Sequence, residues 1–288
     1  MNYLKERYII ALLLTPSLFF LFSVILFPLA FSYYVSLTNF PLIEFRATSW
    51  VGLDNYIDVL TSPRFWYSMA FTGGFVTLAV TLEFLLGLGF ALLFDREISG
   101  GRVLRSLMLM PMLMAPLVVS MIWKYLLHVD IGVVNYILRS FNLPAPSWFS
   151  TVPYAFFSVI LIDVWQWTPF MFLILSAGLM SIPREPIEAA LIDGATRYQV
   201  FRYITLPLLK PIIFIAIMLR AMDALKVFDI LYITTRGGPG IATESLTYYI
   251  FNQALVRKSI GTSCATAVIA VFLLFSIFLV YLRFRPRS

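Results

Sequence analysis

Between Ile9 and Phe31 the chain runs through Leu, Phe, Ile, Val and Ala without one charged side chain. Five further blocks, at about residues 71–94, 104–127, 154–179, 208–233 and 262–282, are also mostly apolar. Each is close to the roughly 20 residues that a helix needs to cross the hydrocarbon core of a bilayer. The apolar residues fill these blocks instead of recurring at amphipathic spacing, so the helices are apolar on every side. Composition supports this reading: 60% of residues are hydrophobic and 12% charged, where a soluble domain carries about 25% charged residues. The expectation is an all-α integral membrane protein with six transmembrane helices, forming one transmembrane domain over residues 1–288. The first block, preceded by Lys5 and Arg7, exceeds the core of a signal peptide and is not closed by a small-residue cleavage site, so it is expected to be retained.

Orientation follows from Lys and Arg, which favour the cytoplasm in short connectors. Lys5 and Arg7 precede the first block. Arg96, Arg102 and Arg105 lie between the second and third, Arg184, Arg197, Arg202 and Lys210 between the fourth and fifth, and Arg283, Arg285 and Arg287 after the sixth. With six spans all of these segments fall on one side, which places both termini in the cytoplasm of a prokaryotic cell, below its inner membrane. The opposite connectors, 32–70, 128–153 and 234–261, are longer and poorer in positive charge. One contains "DIGVVNYILRSFNL", whose Val133, Val134, Ile137, Leu138 and Phe141 share helical spacing, as in a short helix lying along the membrane surface.

Several functions are excluded. The single cysteine, Cys264, permits no disulfide within the chain and no cysteine metal site. The single histidine, His128, rules out a two-histidine metal motif. The net charge of +6 is scattered between spans and forms no nucleic-acid footprint. No G-x-x-x-x-G-K-[ST] phosphate loop occurs, so the chain does not bind ATP in that way. No nucleophile–base pair suggests an enzyme.

The most polar amphipathic stretch is "EPIEAALIDGATRYQVFRYITLPLLKP", Glu185 to Pro211. Pro186 suits a helix start. Asp193-Gly194 signals a turn, with Gly194 able to adopt the left-handed conformation that ends a helix. Thr196 and Gln199 have capping-box spacing for a second helix. Leu206-Pro207 disfavours helical geometry at Leu206 and is expected to turn the chain into the fifth span. The reading is a helix–turn–helix elbow whose exposed side uses small residues. An ordinary amphipathic loop resting on the membrane is the alternative.

Glu188-Ala189-Ala190, three residues, Gly194, nine residues, Ile204, one residue and Leu206-Pro207 together resemble the EAA loop of bacterial ABC importer permeases, without a gap. "EAALIDGA" followed by "LPLLKP" is similar to the carbohydrate branch, the maltose and glycerol-phosphate type. "WVGLDNYIDVLTSPRFW", "VWQWTPFMFLILSAGL" and "ITTRGGPGIATESLTYYIFNQAL" resemble further segments of that family, so the likeness covers almost the whole chain. Pro186 and Ile187 depart from it, standing where many relatives carry acidic residues. The resemblance implies a type I ABC importer permease fold, with a cytoplasmic coupling helix between spans 4 and 5 in the loop 181–207. It also implies a second homologous permease, two ATPase subunits that use ATP and Mg, an external substrate-binding protein and a sugar, di- or oligosaccharide, as substrate. Glu188, Ala189, Ala190, Asp193 and Gly194 would then meet the ATPase, Gly194 by permitting the turn and the two alanines by permitting close approach. The chain itself is expected to bind no cofactor and to catalyse no reaction.

Ionisable residues inside spans are costly and face the protein interior. Arg220, Asp223, Lys226 and Asp229 recur every three residues in the fifth block with alternating sign, so neighbours can pair along the helix. Asp163, Gln166 and Thr168 lie beside Trp165 and Trp167, a mixture suited to a sugar's hydroxyls and apolar faces. Glu83 is expected to be paired inside the bundle. Asp163, Trp165, Gln166, Asp223 and Lys226 are the candidates for lining the path, with a structural charge ladder as the alternative role of the fifth block. A non-sugar solute such as glycerol phosphate or a polyamine, and a secondary transporter acting alone, are the competing functions.

Overall fold

The computed structural model describes residues 2–40, 49–95 and 100–283. Of the charges that set the expected orientation, Arg96, Arg285 and Arg287 lie outside the described residues, as do the side chains of Lys5, Arg7, Arg102 and Arg283. The chain folds as α1 (Asn2–Leu21), a π turn (Phe22–Leu26), α2 (Phe27–Ser36), β1 (Thr38–Asn39), β2 (Ser49–Trp50), α3 (Asp54–Thr61), α4 (Pro63–Phe94), α5 (Gly101–Leu113), α6 (Pro116–Leu126), α7 (Val133–Ser140) and α8 (Val152–Met180). There follow α9 (Glu185–Ile192), α10 (Arg197–Val200), a second π turn (Phe201–Thr205), α11 (Leu206–Ala224), α12 (Asp229–Ile233), α13 (Leu246–Phe251), a third π turn (Asn252–Val256) and α14 (Ile260–Arg283). Two compact units result, one of Met1–Phe65 with Tyr249–Phe278 and one built on Trp66–Tyr248.

The expectation of six transmembrane helices is corrected. Among the described residues four helices are long and apolar enough to cross a membrane: Leu12–Ser36, Pro63–Phe94, Val152–Met180 and Arg197–Ile233. A fifth is reached only by joining Val103–Leu113 to Pro116–Leu126, which meet at a bend of 98°. The third block is thus broken. Met114 (ψ 143°) and Ala115 (ψ 135°) are extended; Ala115 precedes a proline, which disfavours helical geometry, and Pro116 then opens α6 at a position that needs no N–H. The sixth block lies in α14, where Ile260–Ser276 is the apolar stretch among the residues whose side chains are described. The inside–outside assignment that relied on an even number of spans loses that support.

In the first unit, β1 and β2 pair antiparallel, and buried Asn55 ties the surrounding backbone together. Its Nδ2 donates to the carbonyls of Ser36 (2.9 Å) and Thr38 (3.0 Å), and its Oδ1 accepts from Thr262 (3.2 Å). The apolar stretch Leu12–Ser36 is unburied along its most hydrophobic window.

In the second unit α8 is the central element, 67% buried over its apolar window. At one end Phe71, Phe75 and Ala79 of α4 pack with Val159 and Ile162 of α8 and with Ile230 and Leu231 of α12. At the other, Ala91 and Phe94 of α4 pack with Phe172 and Leu175 of α8 and Leu209 of α11. The crossing of α4 and α8 needs Gly87, where an added Cβ would lie 2.6 Å from that of Met171 and 2.9 Å from the Phe172 nitrogen. Lys124, in the last turn of α6, donates from Nζ to the Ile233 carbonyl (2.7 Å) at the end of α12.

The expected break at Leu206-Pro207 is not found. Leu206 is helical (φ −63°, ψ −43°), and the chain runs from α10 through the second π turn into α11. Pro207 cannot donate to the carbonyl four residues back, and its ring needs room there. The π turn supplies that room by widening one turn of helix, with the Leu206 N–H bonded five residues back to Phe201.

Candidate functional site

Two features stand at opposite ends of α11. Its 19 residues rise about 28 Å at 1.5 Å per residue.

At the start of α11 is the elbow. Helix α9 ends in a Schellman motif: the Gly194 N–H donates to the Leu191 carbonyl (3.1 Å) and the Ala195 N–H to Ala190 (2.9 Å), with Gly194 at φ +85°. A capping box opens α10: the Gln199 N–H donates to Thr196 Oγ1 (3.3 Å), and the Thr196 N–H to Gln199 Oε1 (2.7 Å). Both devices agree with the expectation from sequence. Val200 and Thr205 are buried and anchor the elbow, while Ile192 is 86% exposed and Tyr198 and Tyr203 are each 72% exposed. Ala190, Asp193 and Gly194 meet Gln199 and Tyr203 around a groove of about 410 Å³. Glu188 and Ala189 lie exposed outside its lining. No heavy atom comes within 4 Å of a Cβ built on Gly194, so its constraint is conformational and not steric.

At the far end is a buried ion cluster. Arg220 of α11 is 1% exposed, and Glu83 of α4 and Asp163 of α8 flank it. Arg220 Nη2 donates to Glu83 Oε1 (3.0 Å) and to Asp163 Oδ2, and Arg220 Nε lies 2.8 Å from Glu83 Oε2 as an ion pair. Asp223 is a longer partner at 3.4 Å, its side chain half in the open. Trp167 covers a face of the guanidinium, with Cζ 5.1 Å from the ring centroid, a cation–π contact. The pairing of Glu83 inside the bundle follows the expectation. The alternating ladder is formed only at its first rung: α11 stops at Ala224, so Lys226 falls in a turn and Asp229 begins α12, and the i, i+3 spacing no longer describes one helix face.

Above the cluster a cavity of about 250 Å³ opens among Asp163, Trp167, Arg220, Asp223, Lys226 and Asp229, with Pro116 and Phe228 at its edge. The structure therefore brings together three of the five path candidates, Asp163, Asp223 and Lys226. Trp165 lies away from the cavity, its ring edge-on to Trp123 at 5.7 Å. Gln166 is fully buried and donates from Nε2 to the carbonyl of Met114 (3.1 Å), at the break between α5 and α6. Trp167 takes the aromatic place instead. The signal was in the spacing: Trp167 is four residues beyond Asp163 and shares its helix face, whereas Trp165, two residues beyond, cannot. Among the described residues no group of three metal-ligating side chains occurs.

Residues 83–288 match the family described as "Binding-protein-dependent transport system inner membrane component". The chain belongs to this family. It is a multi-pass inner-membrane permease subunit of an ABC importer, working with a second permease, an external binding protein and separate ATPase subunits, which hold the ATPase activity. The permease is 38% identical over 94% of its length to the trehalose/maltose transport system permease protein MalF of Thermococcus litoralis, covering 92% of that protein. It is 34% identical over 97% of its length to the sulfoquinovosyl glycerol transport system permease protein SmoG of Agrobacterium fabrum, covering 91%. In fold it is similar to a chain of a bacterial ABC transporter involved in import of the acidic polysaccharide alginate, with TM-score 0.82, 21% identity and 99% of each chain covered.

Proposed function

We propose that this permease conducts a sugar, a di- or oligosaccharide, with the cavity at the far end of α11 on the path and the elbow as the coupling element. The observation that carries this reading is one helix joining both features: α11 holds Arg220 and Asp223 at the cavity and continues from the elbow that presents Ala190, Asp193 and Gly194. Relatives named for trehalose, maltose and sulfoquinovosyl glycerol support a carbohydrate. So does the cavity, since carboxylates and an ammonium suit hydroxyl groups and an indole suits a pyranose face. Arg184, Arg197, Arg202 and Lys210 favour a cytoplasmic elbow, which leaves the cavity toward the external side. ATP-driven closure of the ATPase pair would shift the elbow and favour one global state of the path over the other, with the loop 181–207 part of one transmembrane permease domain.

The test is uptake into proteoliposomes holding this chain, its partner permease and the ATPases, with the binding protein outside and ATP within. Accumulation of a labelled di- or oligosaccharide that requires both ATP and the binding protein is expected. Accumulation of glycerol phosphate or a polyamine, with no sugar taken up, would overturn the sugar reading.

A further inference from the structure

We infer that the cavity selects neutral carbohydrates and rejects acidic ones. The inference rests on reading that cavity as the sugar path. Its wall carries three carboxylates, Asp163, Asp223 and Asp229, against two cations, Arg220 and Lys226. A fourth carboxylate, Glu83, lies directly behind and is bonded to Arg220. Arg220 has little to offer an incoming anion: it is buried, its Nη2 and Nε serve Glu83 and Asp163, its Nη1 faces Asp223 at 3.4 Å, and Trp167 lies against its face. Only Lys226 remains, exposed and without an ion pair among the described residues. It shares the wall with Asp223 and Asp229, both exposed.

A neutral sugar fits this set of groups. Its hydroxyls donate to Asp223 and Asp229 and accept from Lys226. A carboxylate, sulfonate or phosphate on the same sugar loses a donor and brings negative charge against two exposed carboxylates, Asp229 and Asp223, the latter held only by a 3.4 Å contact to Arg220. In a partly enclosed site that repulsion is screened far less than in bulk water. Lys226 compensates for one of the two at most.

The test uses the assembled transporter, both permeases with the ATPase pair, and omits the external binding protein so that its own selectivity does not intervene. Equilibrium binding of maltotriose and trehalose is compared with that of trigalacturonate at low and at high salt. The neutral sugars are expected to bind about tenfold tighter or more at low salt, with the gap narrowing at high salt. Asp223→Asn combined with Asp229→Asn should shrink the gap to about twofold, and Lys226→Gln should widen it. A thermal unfolding curve matching the parent shows that each variant is folded. Equal or tighter binding of trigalacturonate by the parent, or a gap untouched by the folded double variant, would overturn the inference and leave the sugar reading standing. If neither class of sugar binds while a non-sugar solute is taken up in proteoliposomes, the sugar reading fails and this inference falls with it.

Discussion

Arg220 is the residue on which most of the second unit's polar chemistry converges. Replacing it with Met would leave Glu83 and Asp163 buried with no counter-charge, a change that costs about 3–5 kcal/mol at buried pairs. We expect Arg220→Met to lower the apparent Tm of the detergent-purified chain sharply. Arg220→Lys keeps the charge but not the planar fork that reaches several carboxylates, and should fall between. An unchanged Tm in Arg220→Met would show that the cluster contributes nothing to stability. Gly194 illustrates the opposite situation, since nothing crowds it and only its φ of +85° restricts it. Gly194→Val puts a β-branched residue there at a cost of about 1–3 kcal/mol, whereas Asn tolerates that region. Gly194→Val should still insert in the membrane, yet lose most ATPase stimulation by the loaded binding protein, and Gly194→Asn should keep most of it. Normal stimulation in reconstituted Gly194→Val complexes would refute a coupling role for the turn. Both residues stood out in the sequence, but for different reasons. The need at Gly194 is local and its neighbours announced it, whereas Arg220's main partners lie 57 and 137 positions away, and no local spacing predicts such pairings.

The same contrast holds for elements. The Schellman end of α9 and the capping box of α10 follow local rules, and the sequence made them legible. The prolines were harder because their outcome depends on what the flanking helix can give. At Pro207 a π turn absorbs the ring and the helix continues; at Pro116 the chain bends by 98° instead. The bend frees the Met114 carbonyl, and Gln166 from α8 reaches across to it. Its role in closing that break explains a buried amide that looked like a substrate contact from composition alone. Gln166→Leu would leave the carbonyl without this donor, at about 1–3 kcal/mol for an unsatisfied buried group. The expected outcome is a lower Tm with sugar affinity little changed in the folded fraction. A large loss of affinity at unchanged Tm would instead place Gln166 on the path.

At the level of the whole molecule, apolar length made the membrane class legible but miscounted the spans, because length in sequence does not reveal a bend such as the one of 98° before Pro116. The buried charges raise a separate question, since an ionisable cluster inside a membrane protein is also what an ion-driven carrier would use. Here the geometry argues against a relay. Glu83 and Asp163 are both paired with one guanidinium whose charge does not titrate in proteins, and both are buried, so protonating either would weaken the ion pairs that join α4, α8 and α11. A change of state is more economically carried by α11, which links cavity to elbow as one continuous helix and leaves the cluster intact. The consequence is a dependence on ATP alone. In proteoliposomes with ATP clamped inside, collapsing the proton gradient with an uncoupler should leave the initial rate of uptake unchanged, while removing ATP should abolish it. Uptake that falls with the gradient at constant ATP would mean that the cluster takes part in ion movement and that the pairs around Arg220 open during each cycle.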